Sequence, residues 1–315
     1  MWDNAKNPKN LNLGGIADGP LCTYLSKDYL SGAGSLPVAS AVHVETVVGQ
    51  DGSFFIDTVA ESRFVLADTA SAFGQRPVGV VAFVDLSKDD AGAVLDAHAA
   101  ALGKAFRGVR MILNHSPTWP QVPHARFVGG DASDPAAAGF SRGFSLLAAR
   151  GLTFDFHANP SQFLGAAAVF ARAPAGARIV IDHLGCPKLS GDAAADAEAV
   201  GTWKTGMRAL AALPHVFVKI SGLEYVLAGW LVPASKERET AAALVRWVLS
   251  EFGAARCMVA SNFPVDLHMG GPAQTMPALY AALHAIMAPV LDHAQLRAVF
   301  HDNAFRFYGL GDARA

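Results

Sequence analysis

The chain has 315 residues, 52% of them hydrophobic and 17% charged, with a formal net charge of −2. That length and apolar content bury a large core, and the near-neutral balance excludes a nucleic-acid or polyanion partner. Three scattered cysteines without CxxC spacing exclude a disulfide framework or zinc knuckle, the polar N-terminus has no signal-peptide core, and no apolar run approaches a membrane span, so the chain reads as a soluble cytoplasmic protein.

Residues 4–37 are rich in Gly, Pro and Asn and predict an irregular loop. Apolar runs bounded by turn residues then predict strands at residues 40–47, 78–84, 108–113, 152–157, 178–183, 215–220 and 256–261. Ala/Leu-rich segments of helical length near 57–73, 89–104, 135–150, 161–173, 193–213, 236–252, 274–288 and 293–307 predict the helices. Strand-helix alternation along the whole chain implies a parallel sheet with right-handed crossovers. Seven such units are too many for a small doubly wound sheet and suit an α/β fold of the (β/α)8 barrel type. No Ser/Gly linker or charge run divides the chain, so residues 1–315 read as a single domain.

A barrel of this kind builds its site from the loops at the C-terminal ends of its strands. Those ends carry His43 and Glu45, Asn114 and His115, Asp155 and His157, Asp182 and His183, Lys219 and Ser221, and Ser261, Asn262 and Asp266. The strand interiors are Val, Ile, Phe and Ala. Capping and turn polarity account for Asn114, Ser221 and Asp266, but they account poorly for clustered histidines. The stretch RIVIDHLGCP (178–187) is the most pointed: a buried strand delivers Asp182 and His183 into a turn marked by Gly185 and Pro187. Along VFVKIS, alternation puts Lys219 outside the barrel.

The segments AVHVE (41–45), GVR (108–110), GLTFDFHANPSQF (151–163), DHLGCPKL (182–189), VKISGL (218–223), CMVASNFPVD (257–266) and DNAFRFYGL (302–310) span essentially the whole chain. Together they resemble the amidohydrolase-related family (amidohydrolase family 2), in the lactonase-like branch of the metal-dependent TIM-barrel hydrolases. The resemblance implies a distorted (β/α)8 TIM barrel that opens a ring ester by water attack on the lactone carbonyl. It implies a catalytic role for His183, polarising the carbonyl or helping to activate water, and for Asn262. It implies substrate-facing positions for Glu45, Arg110, His115 and His157. Arg110 is read either as a bidentate clamp on a substrate carboxylate or as a structural ion pair. His115 and Trp119 lie in a Pro-rich loop that shapes a pocket, and His157 stands where some members carry a metal ligand.

Two departures bear on mechanism. Members of the family begin with a strand ending in His-x-His, followed by Trp-Asp; this chain starts Met1-Trp2-Asp3. The barrel is therefore expected to lack its first strand, as it would from a reading frame opened too late. Members end the eighth strand Gly-Ser-Asp-Trp-Pro, whereas here the slot reads Ala260-Ser261-Asn262-Phe263-Pro264. An amide takes no proton at neutral pH, so Asn262 orients water or substrate only. Asp266 is expected to lie too far along the loop to substitute, and base work falls to His183, His157 or Glu45. The cofactor stays open between one divalent, zinc-like metal and none, with no ligand set assigned. Three functions stay open: a lactone hydrolase, which is favoured, a carbon-carbon lyase (decarboxylase), or a ligand-binding barrel without catalysis. The expected partner is a small-molecule substrate, with no nucleic acid and no membrane, and the oligomeric state has no signal in the sequence.

Overall fold

The computed structural model describes residues 2–3, 23–46, 57–114, 135–270 and 274–311. Two short strands, β1 (Trp2–Asp3) and β2 (Thr23–Tyr24), pair antiparallel. A helix follows at Ser26–Ala33, which corrects the irregular loop expected over residues 4–37 where that segment is described. Its first turn is closed by Leu25 N–H donating to Asp28 Oδ2 at 2.9 Å. Ser26 donates to Asp68 from both its backbone N and its Oγ, at 2.9 and 2.6 Å. The helix leans on a partner 42 residues away, which local composition does not reveal.

Seven strands, β3 (Ala41–Val44), β4 (Val78–Phe83), β5 (Phe106–Ile112), β6 (Thr153–His157), β7 (Ile179–Ile181), β8 (Val216–Ile220) and β9 (Cys257–Val259), form one sheet, each pairing with the next in parallel. Helices Thr58–Phe73, Ala91–Leu102, Pro135–Ala149, Phe163–Phe170, Ala193–Ala211, Lys236–Phe252 and Met276–Met287 follow the strands in turn. Several are opened by the caps that their sequences supply: Asp57 accepts from Ala60 N, Asp192 from Ala194 N and Ala195 N, and Ser235 from Arg238 N. The expected strands are all present, with ends moved by a few residues. No helix among the described residues is long and apolar enough to cross a membrane.

Side-chain parity along each strand shows which residues face the inside. In β7, Ile179 and Ile181 pack into the core between sheet and helices, while Val180 joins a second cluster with Val81, Met258, Phe305, Phe307, Tyr308 and Leu310. That second cluster is the inside of the curved sheet, plugged by the C-terminal helix Asn303–Tyr308. The same alternation sends Val109 and Met111, Phe154 and Phe156, and Val218 and Ile220 outward to the helices. Arg110, Asp155 and Lys219 therefore point inward. The outward placement expected for Lys219 is overturned, because the two flanking apolar residues claim the helix side. Conversely, Val42 and Val44 pack on the inner cluster, so His43 faces the helix Thr58–Phe73, where its Nε2 lies 3.2 Å from Glu61 Oε1.

Candidate active site

Asp182 and His183 leave β7 through a strained turn. His183, Leu184 and Cys186 all adopt positive φ, at 53°, 55° and 48°, and non-glycine residues there cost on the order of 1–3 kcal/mol each. The surroundings hold the turn: Trp203 Nε1 donates to Leu184 O at 2.9 Å, Gly185 N to Asp182 O at 2.9 Å and Cys186 N to His183 O at 2.8 Å. Leu184 is fully buried beneath it. Gly222 makes room for the imidazole, since a Cβ there would stand 2.8–2.9 Å from His183 atoms. His183 Nδ1 then lies 3.0 Å from Ser221 Oγ.

Strand ends bring further groups to this turn. The His157 and His183 rings meet edge to face with centroids 5.2 Å apart. His157 Nε2 is 3.3 Å from Asn114 Nδ2 and 3.6 Å from Cys186 Sγ. Beneath the imidazoles, Lys219 Nζ bridges Asp155 Oδ2 at 2.5 Å and Asp182 Oδ1 at 2.9 Å. Tyr308, reaching up from the C-terminal plug, donates its hydroxyl to Asp155 Oδ2 at 2.8 Å. Arg110 Nε donates to Glu45 Oε1 at 2.7 Å and its Nη2 to Glu45 O, while Nη1 stands 3.6 Å from Asp182 Oδ2. Asp182 is thus flanked by two cations: Lys219 takes Oδ1, while Oδ2 has no hydrogen-bond partner among the described residues.

Burial dominates the electrostatics. Desolvation pushes the imidazoles of His157 and His183 down to about 4 and about 3, so both are neutral at physiological pH. Burial alone would raise the Asp182 carboxyl, but Lys219, His183 and Arg110 outweigh it and hold it well below the usual carboxylate range. Burial lifts Asp155 to about 6 against the pull of Lys219, with the charge of Asp182 adding to the rise.

The structure brings His157 and His183 together and adds Asp182, which the sequence placed at a strand end without a role. One ligand atom from each of the three lies within 4.8 Å of the others. Two neutral imidazoles and a carboxylate, with His157 Nδ1 and Asp182 Oδ2 lacking hydrogen-bond partners among the described residues, make a donor set that fits a divalent ion with an open position. Glu45 is buried against Arg110, and both belong to the wall beside Asp182. Asn262 follows β9 at a positive φ of 54° and donates from Nδ2 to Asp266 Oδ1 at 2.7 Å. His115 and Trp119 lie outside the described residues. A place at a strand end was the available signal for Asp155 and Lys219, while the side that Lys219 faces had none; nor had Tyr308, 153 residues from Asp155.

A family model described as Amidohydrolase matches residues 34–310. An uncharacterized protein of Sinorhizobium fredii is 29% identical over 289 residues, covering 91% of this chain and 86% of that protein. An L-fucono-1,5-lactonase of Burkholderia ambifaria is 30% identical over 217 residues, which are 69% of this chain and 61% of the lactonase. A crystal structure of an amidohydrolase from Burkholderia multivorans with bound zinc superposes with a TM-score of 0.76 at 23% identity, over 98% of this chain and 96% of that one. At that identity the likeness speaks for the fold.

Proposed function

The chain belongs to the amidohydrolase family, and from that premise we propose that it is a hydrolase that opens a lactone by attack of water on the ring carbonyl. The observation that carries this reading is the donor set of His157, Asp182 and His183 beside Arg110. The similarity to an L-fucono-1,5-lactonase supports a lactone as the substrate class.

Within this reading, His157, Asp182 and His183 would hold one divalent ion, which when bound would supply Lewis acidity and lower the pKa of water. The chain's own residues do the rest. An imidazole held down to about 3 takes up a proton poorly, so His183 serves better as a neutral ligand than as a lone general base. Ser221 Oγ stands 3.0 Å from Nδ1, and in the tautomer that donates to it the Nε2 lone pair is left for a ligand. Lys219 holds the Asp182 carboxylate charged and in place, and Arg110, fixed by Glu45, brings positive charge to the wall where the carbonyl oxygen becomes an oxyanion. Water adds to the carbonyl carbon, the ring C–O bond breaks, and the proton that the water gives up passes to the leaving alkoxide to give the open hydroxy acid.

A panel of sugar and carboxylated lactones, followed by acid release with and without added zinc, tests the proposal. Turnover of at least one lactone is expected. Absence of turnover across the panel in both conditions overturns it, and carbon dioxide release without ring opening replaces it with the lyase reading.

A further inference from the structure

Beyond the His157–His183 pair, the most distinctive polar contact is the one behind β9. Asp266 is fully buried and accepts a hydrogen bond from Asn262 Nδ2 at 2.7 Å. The backbone N–H of Glu224 also points to this carboxyl. Oδ1, the oxygen nearest the amide, accepts whether or not Oδ2 carries a proton, so it discriminates between the two ends of the neighbouring amide. The NH2 end must face Asp266, and the carbonyl end must face away from it. Asn262 Oδ1 meets no donor among the described residues, and Asn262 itself is only half-buried. The backbone agrees, since Asn262 is held at φ 54°, where a short side chain that bonds locally is favoured.

We propose that Asp266 is a positioning residue that locks the amide of Asn262, so that its carbonyl oxygen is presented at the barrel mouth as a fixed hydrogen-bond acceptor for an O–H group. The group it receives is the attacking water or a ring hydroxyl of the lactone, and in that respect the inference rests on the hydrolase reading above. The lock does not depend on the ionisation of Asp266: with a proton on Oδ2, the Oδ1 carbonyl still accepts from Asn262. An amide at this place orients its guest and takes no proton from it, leaving proton removal to other groups. Asp266 lies behind Asn262, packed out of solvent, and acts through it.

The test uses the full-length protein and two kinds of readout. In side-chain amide NMR spectra, the Asn262 NH2 pair should be protected from solvent exchange in the wild type. In Asp266→Ala it should shift and exchange like a free amide, whereas Asp266→Asn, whose carbonyl oxygen still accepts, should keep most of the protection. On a lactone substrate, kcat/KM should fall about tenfold in Asp266→Ala through kcat, and less in Asp266→Asn. Asn262→Asp alone sets two carboxyl groups against each other and should be impaired. Asn262→Asp combined with Asp266→Asn exchanges donor and acceptor and should recover activity, which a merely structural Asp266 would not produce. An Asn262 amide signal unchanged in a folded Asp266→Ala protein overturns the lock, as does failure of the exchanged pair to recover. If the wild type opens no lactone, the hydrolase reading fails and the NMR comparison still decides the lock.

Discussion

Lys219 Nζ stands 2.9 Å from Asp182 Oδ1, and both groups are almost wholly buried inside the curved sheet. The same ammonium serves Asp155 at 2.5 Å, so one cation neutralises two carboxylates taken out of water. Removing it leaves Asp155 without a cation and Asp182 with Arg110 alone, at 3.6 Å. Lys219→Met is therefore expected to lower the unfolding free energy by about 3–5 kcal/mol in urea titrations. Tyr308→Phe, which removes a single neutral donor to Asp155, should cost about 1–2 kcal/mol. A Lys219→Met protein as stable as the wild type would show that the bridge is not what holds the three strands' polar ends together.

Gly222 is the seat of the His183 ring. Gly222→Ala places a methyl within 2.8–2.9 Å of the imidazole and strains a φ of 63°. Displacement of a reacting group by ~1 Å costs roughly 100-fold in rate, and a loss of that order in kcat/KM is expected. Gly229→Ala is the control, with φ 80° and no atom within 4 Å of the added carbon. It shares the backbone strain without the clash, and an equal loss in both variants would sink the steric account.

Zinc binding, measured by isothermal titration in the wild type, should show one site. His157→Ala and His183→Ala each remove a member of the donor set, and each should weaken it by at least ~100-fold. His183→Asn should also abolish lactone turnover, and substantial residual activity would remove His183 from the chemistry. Undiminished zinc affinity in both alanine variants would show that the ion, if bound, sits elsewhere.

Burial raises the Asp266 carboxyl from its ordinary 3.8 to about 7, against the hydrogen bond from Asn262. A folded-state value above the unfolded one favours folding at low pH. The contribution of Asp266 is thus fully present below its unfolded value of 3.8 and is lost as pH rises through about 7. Asp266→Asn does not titrate. Its stability relative to the wild type should rise between those two values, by up to about 4 kcal/mol. Melting curves collected at intervals across that range decide the matter, and a difference that stays level with pH would mean that Asp266 is ionised throughout.

Much of this architecture was legible one element at a time. The apolar runs around Ile179–Ile181 and Val216–Val218 announce buried parallel strands because a strand covered on both faces is apolar along most of its length. The caps at Asp57, Asp192 and Ser235 mark helix starts for an equally local reason. The helix Ser26–Ala33 escaped because its support comes from Asp68 on another element. His43 and His183 look alike as histidines at strand ends, yet one faces a helix and the other the mouth.

The order of strands and helices, and the gathering of histidines and carboxylates at strand ends, were determined by the sequence itself. Periodicity and turn chemistry act over a few residues, and parallel pairing then puts every strand's polar end on the same rim. Which side of each strand is the inside was decided only by the folded chain. Valine and isoleucine satisfy either face equally well, so VFVKI does not say where Lys219 points until Val218 and Ile220 pack against helices and Phe217 against the plug. The Tyr308–Asp155 bond and the contact of Asn262 with Asp266 belong to the same class. They depend on distances set by packing, for which no spacing in the chain is a substitute.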